Sequence, residues 1–348
     1  KTNGARLFLE MLKLHGVKDV FGLPGETTLA LYREWEKFPD VRHVLTHDER
    51  AAAFMAEAYA KAAGRVGVSE APSPGGAHPA PGVLESYKGS VPTVCFTSDV
   101  PFNNDTRNTL SGFDQNRLYE AITKESILVT RAADIPHLVR RAFRTALADR
   151  PGAVHVRIPY DVYEEEVDIP ESELYGGTSL WPADRPVADL YKIDEAIELL
   201  TGAERPVIVC GQGAVVAEAG PEVRAVAEAL SIPVGTTMTG KGAIPETHPL
   251  SIRVVGARGG TSYSNRFLQE ADLVFFVGSN TDSAGTDGRK LPSALDQPKI
   301  IQLDVSRQET GNNYRADVPL VGDAKATLSA MARRIKERGC KGSAVNGG

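Results

Sequence analysis

Glu49 stands at the head of "ERAAAFMAEAYAKAAG" (49–64), a segment whose uncharged positions are almost all alanine or larger apolar residues. It follows "VRHVLT" (41–46), which reads as a strand. A carboxyl placed there lies outside the carboxyl end of a strand, where open α/β sheets gather ligands. In the dry pocket that so apolar a helix implies, it suits acid–base work. A plainer role fits the same residue. Thr46, His47, Asp48 and Glu49 match the capping box, with a threonine N-cap and a glutamate three residues later satisfying free helix N–H groups. Taken alone, the spacing favours capping. Two more stretches carry turn chemistry after strands. "VFGLPGETT" (20–28) places Pro24 and Gly25 in a tight bend, and "SEAPSPGGAHPAPG" (69–82) places Pro74, Gly75 and Gly76 in a loop that leads to His78. Glycines there let a ligand approach the backbone, while Pro72, Pro79 and Pro81 remove N–H donors. His78 by itself reads as an ordinary surface residue.

The elements that must position these residues alternate in type. Strands are predicted at 19–23, 41–46, 66–71, 91–99, 126–130 and 153–159, with helices at 4–16, 49–64 and 135–149. Apolar strands separated by amphipathic helices predict an α/β fold with a mostly parallel, doubly wound sheet covered on both faces. The motif-bearing loops follow successive strands, so they converge on one end of that sheet. A second sheet of the same kind is predicted from strands at 206–211, 233–238, 273–279 and 299–305, a helix at 220–231 and a closing helix near 324–338. Between the two lies an acidic stretch, rich in proline, glycine and serine, without a sustained period. The expected organisation is a first domain at 1–160, an extended linker at 161–187, a Rossmann-like second domain at 188–338 and a linker or tail at 339–348.

Composition narrows the function. The 348 residues are 42% hydrophobic and 24% charged, with net charge −6 and no basic block of the kind that steers a protein to nucleic acid or an anionic membrane. No apolar run reaches the ~20 residues of a membrane span, and no signal-peptide pattern opens the chain. Cys95, Cys210 and Cys340 are odd in number and widely spaced, which fits reduced thiols and a cytoplasmic setting. No Cys/His cluster has metal-ligand spacing, so no metal held by this chain is expected.

The motifs also carry a family likeness. In order, "VFGLPG", "HDERAAAFMAEAYAKAAGRVGV", "SPGGAH", "SVPTVCFTSDVP" and "RPGAVHVRIPYDV" resemble the pyrimidine-binding domain of thiamine diphosphate enzymes of the acetolactate synthase and pyruvate oxidase group. "RPVIVCGQGAV", "GKGAIPETHPL", "QEADLVFFVGS", "KIIQLDV" and "YRADVPLVGDAKA" resemble their central domain. The resemblance runs from about Gly4 to Ala330. It implies a decarboxylase or carboligase acting on a small 2-oxo acid with thiamine diphosphate and Mg²⁺. It gives Glu49 the role of the carboxyl that shares a proton with N1′ of the cofactor's aminopyrimidine, which capping geometry would hold in place. It puts Pro24, Gly25, Pro74 and Gly75 beside the cofactor, and Asp48, His78 and Gln115 near the substrate. Asp48, Arg50, "APSPGG" and His78 depart from the residues usual in acetolactate synthases, which implies a substrate other than the standard pyruvate pair.

No Gly-Asp-Gly occurs in the chain, so Mg²⁺ and the diphosphate are expected to be held by a further domain, in cis or on another chain, and these residues alone are expected to be inactive. A homodimer or homotetramer is implied by the same resemblance. "GQGAVV" has a Gly-x-Gly turn without the third glycine of a dinucleotide fingerprint, so FAD stands as an alternative to a purely structural second domain. Two other readings stay open: a naturally short, non-catalytic or split-enzyme subunit, and a nucleotide-binding α/β protein.

Overall fold

The computed structural model describes residues 1–104 and 107–342; of the expected tail, 343–348 lie outside the described residues. The chain divides into two compact units, Lys1–Ala183 and Asp184–Gly348.

The first unit is built on a six-stranded sheet in the order Arg42–Leu45, Asp19–Gly22, Gly67–Ala71, Thr93–Asp99, Ala153–Pro159, Glu125–Leu128. Every neighbouring pair is parallel. Thr93–Asp99 and Ala153–Pro159 are buried along their whole length, as strands covered by helices on both faces must be. The order reverses between Asp19–Gly22 and Gly67–Ala71, because the chain leaves the first strand toward Arg42–Leu45 and returns on its other side. Such a reversal opens a crevice beyond the carboxyl ends of the two strands. The segments 23–28 and 72–78 border that crevice.

The alanines of the Glu49–Ala63 helix have a packing cause. Ala52, Ala53, Ala56 and Ala60 are buried, and a Cβ built on Gly67 would stand 2.0 Å from the Ala56 carbonyl oxygen. On the helix's other flank, a Cβ on Gly82 would stand 2.7 Å from the Ala53 Cβ. The helix lies so close to its strand and to the Ala80–Lys88 helix that only small residues fit. Gly64 ends it in the left-handed region (φ 60°), its N–H bonded to Ala60 O at 3.1 Å.

The structure departs from the sequence expectation in several places. Residues 69–82 are not one loop, since a turn at Gly75–Ala77 precedes the helix Ala80–Lys88, which starts inside the stretch. Pro81 sits in that helix's first turn, where its missing N–H goes unneeded. The helices Leu29–Trp35 and Gln115–Glu120 have seven and six residues, too few to display a period. Within 160–187, the helix Tyr160–Glu164 buries Val162 and Tyr163, and Glu166–Val167 pairs antiparallel with Thr2–Asn3.

In the second unit the order is Ser251–Val254, Val234–Thr236, Pro206–Cys210, Leu273–Val277, Lys299–Asp304, Val318–Val321, again parallel throughout. The edge strands Ser251–Val254 and Val318–Val321 and the helices Leu190–Gly202 and Ser262–Glu270 add to the elements predicted from sequence. The Gly-x-Gly turn packs turn against turn. A Cβ on Gly211 would lie 2.3 Å from Gly278 O, and one on Gly213 would lie 2.8 Å from Gly278 Cα. Among the described residues no helix is long and apolar enough to cross a membrane.

Candidate functional site

Asp48 starts the helix that carries Glu49. Its backbone is extended and its carboxylate accepts the Arg50 N–H at 2.8 Å, so Asp48 is the N-cap. This corrects the capping-box expectation. Thr46 is turned the other way, with its hydroxyl and its N–H both donating to Gly22 O at the end of the neighbouring strand (3.1 and 2.8 Å). Glu49 is therefore the first helical residue and is not engaged in a box with Thr46. The Arg50 guanidinium closes on Asp48 at 2.6 Å and holds its carboxyl down at about 2.

The Glu49 carboxylate points into the fold. Its side chain is only 10% exposed, although it opens a helix, where the aligned peptide dipoles favour a negative charge. Oε2 accepts from His78 Nδ1 at 2.8 Å. Oε1 lies against Gly75, where a Cβ would come within 2.2 Å of it. The structure thus brings Asp48, Glu49, Gly75 and His78 together, and ligand-type atoms of Asp48, Glu49 and His78 lie within 4.8 Å of one another. The cationic place beside Asp48 is already filled by Arg50.

The other expected residues line the same crevice less directly. Gly25 belongs to the facing segment. Its N–H donates to Thr28 Oγ1 at 2.9 Å, and a Cβ on it would stand 2.6 Å from the Pro72 Cβ, so the two segments meet there. Pro24 and Pro74, next to the two glycines, are exposed. Gln115 is fully buried but reaches Gly76 rather than Glu49. Its Nε2 donates to Ser98 O at 3.0 Å, and its Oε1, without a hydrogen-bond partner among the described residues, lies 2.6 Å from where a Gly76 Cβ would be.

Several residues of the site wall escaped the sequence reading. Ser73 N–H and Ser98 Oγ–H both donate to Thr27 Oγ1, at 2.8 and 2.6 Å, which ties the two crevice segments to the end of Thr93–Asp99. Asp99 and Arg157 form a buried ion pair at 2.7 Å, and burial pushes the Asp99 carboxyl up. A charged residue inside each of two apolar strands was the available signal. Tyr119 donates its hydroxyl to Gly76 O at 2.7 Å and stacks on His155, centroids 4.0 Å apart. His155 in turn bridges Thr97 and Ser126. Asn116 Nδ2 donates to Ser126 Oγ, and the same hydroxyl shares a hydrogen bond with His155 Nδ1 at 2.8 Å. Below the crevice Glu70, its carboxyl pushed up by burial, meets Tyr32 and His43.

This arrangement sets one buried carboxylate against glycine backbone at the crevice. Comparison with known proteins agrees in both units. Residues 2–118 match the family model described as thiamine pyrophosphate enzyme, N-terminal TPP binding domain, and residues 193–331 match thiamine pyrophosphate enzyme, central domain. A probable acetolactate synthase large subunit of Methanocaldococcus jannaschii is 36% identical over 344 residues, covering 96% of this chain and 57% of the relative. An acetolactate synthase of Arthrospira platensis is 35% identical over 96% of this chain and 58% of its own length. A probable chloroplastic acetolactate synthase of Oryza sativa is 32% identical over 99% of this chain and 52% of its own. The chain thus spans somewhat more than half the length of the curated relatives it matches.

Proposed function

Because this chain belongs to the thiamine pyrophosphate enzymes, we propose that it supplies the pyrimidine-binding half of a thiamine diphosphate-dependent, acetolactate synthase-like decarboxylase or carboligase acting on a 2-oxo acid. One observation carries the reading: the Glu49 carboxylate, nine-tenths buried, packs against Gly75, where there is no room for a Cβ. That cradle fits an aminopyrimidine, a flat ring with a nitrogen that can share a proton with a carboxyl. When bound, thiamine diphosphate supplies a nucleophilic carbon for the 2-oxo acid carbonyl and a sink for the electrons left as CO₂ departs.

This chain's residues do the holding and the proton work. Glu49 holds or yields a proton at the ring nitrogen, in a pocket dry enough to keep that proton from water. Gly25 and Gly75 let the ring lie against backbone, and Pro24 and Pro74 stiffen the segments that carry them. Gln115 braces the loop through Gly76. Asp48, with Arg50 closed on it, and His78 stand at the open side of the carboxylate, where they would meet the substrate and select an acid other than the standard pyruvate pair. We assign Mg²⁺ and the diphosphate to residues outside the two units, on a domain that faces this one from the same or another copy of the protein, in a homodimer or homotetramer.

Replacing Glu49 by Gln keeps the shape and removes the proton. The E49Q variant of the native protein should keep its far-UV circular dichroism and lose exchange of the cofactor's reactive C–H proton together with decarboxylation. Wild-type exchange in E49Q would overturn the assignment.

A further inference from the structure

A buried carboxylate left without a donor costs more than an ordinary hydrogen bond returns, so Glu49 requires a partner whether or not a ligand is bound. His78 is that partner, and the two sides of the contact are unequal. The Glu49 side chain is 10% exposed and that of His78 is 60% exposed. The backbone under His78 is held by its N–H bond to Gly75 O at 2.9 Å, while the ring faces solvent. Gly75 packs against Oε1, and His78 stands at Oε2. A ring nitrogen that shares a proton with Oε2 must arrive where His78 Nδ1 now stands.

We propose that His78 is a placeholder for the cofactor's ring nitrogen. Without cofactor its Nδ1–H satisfies the buried oxygen; on binding, the imidazole gives that oxygen up and swings outward. The proposal rests on the thiamine reading above. The exchange replaces one donor by another, so Glu49 is never left bare. The displaced ring has solvent to turn into, since its side chain is already 60% exposed. The other charged groups around the contact stay in place. Arg50 is locked on Asp48, and Glu70 lies buried beneath, bonded to Tyr32 and His43.

Calorimetric titration of the native protein with thiamine diphosphate and Mg²⁺, wild type against H78A, tests the proposal, joined to ¹⁵N NMR of the histidine rings. Removing a competing hydrogen bond should tighten cofactor binding in H78A by about threefold to tenfold. The His78 ring should show an Nδ1–H tautomer without cofactor and lose it at saturation. Equal or weaker binding by H78A, with the wild type binding normally, overturns the placeholder and leaves the functional reading standing. So does an Nδ1–H signal that saturating cofactor leaves unchanged. A wild-type protein that binds no thiamine diphosphate overturns the functional reading, and the placeholder falls with it.

Discussion

Gly75 fixes where the Glu49 carboxylate can lie. Alanine at 75 would put a Cβ 2.2 Å from Oε1, so the carboxylate must move. A displacement on the order of 1 Å at a reacting group costs roughly a hundredfold in rate. The G75A variant should therefore lose about two orders of magnitude in cofactor-dependent turnover, with secondary structure unchanged; steady-state kinetics decide it. Thiol chemistry offers a second check. Burial pushes Cys95 and Cys210 up to about 12, whereas Cys340 is half-buried. In the native protein at about pH 8, a thiol reagent should label Cys340 first and reach the other two only on unfolding, because the thiolate is the reactive form. Rapid native labelling of Cys95 or Cys210, read by peptide mass, would contradict their burial. At this scale sequence spacing placed Glu49 at a helix start but misassigned its neighbours. Thr46 and Asp48 are both good N-caps, and nothing local shows that Thr46 is drawn back to Gly22 O on the next strand. His78 stayed illegible for a similar reason, since its partner is 29 residues away.

At the scale of elements, glycines and alanines set distances that the site inherits. The Gly67 position faces the carbonyl of Ala56, so G67A cannot be absorbed by a side-chain shift and must push the Glu49–Ala63 helix off its strand. Overpacking of this kind costs roughly 1–3 kcal/mol, measurable as a lower urea midpoint. An unchanged midpoint would mean that the helix lies farther from the sheet. Lys124 gives a pH-dependent case. Its ammonium donates to Ala148 O and Arg150 O just beyond the helix Ile135–Leu147, and burial lowers it from 10.5 to about 8. Between those two values the unfolded chain holds a proton that the folded chain lacks, so this group's contribution to stability rises with pH across that window. Relative to K124M, the wild type should gain stability between about pH 7.5 and about pH 10, seen in paired urea titrations. A constant difference would refute the shift. Long apolar strands and the 49–63 and 324–338 helices were legible because period and length agreed. The helices Leu29–Trp35 and Gln115–Glu120 were not, because fewer than two turns cannot separate a helical period from an irregular loop.

For the molecule as a whole, the first unit has a core of its own, in which Phe8, Phe96, Phe143 and Tyr163 are buried among its helices and sheet. Residues 1–183 expressed alone should therefore fold and unfold cooperatively; a non-cooperative urea transition would show that the core needs the rest of the chain. Two parallel sheets were foreseeable from apolar runs that alternate with helices. Their strand orders, and hence the crevice between Asp19–Gly22 and Gly67–Ala71, were not, because order depends on which side the returning chain takes. The stack from Ser126 through His155 and Tyr119 to Gly76 belongs to the same whole. Burial takes His155 down to about 3 and Tyr119 well above its ordinary value. From about pH 4 to about pH 9 this brace keeps one pattern of protons. It behaves as an electrically silent mount, so a pH profile measured on the native protein over that range should carry no signature of this stack.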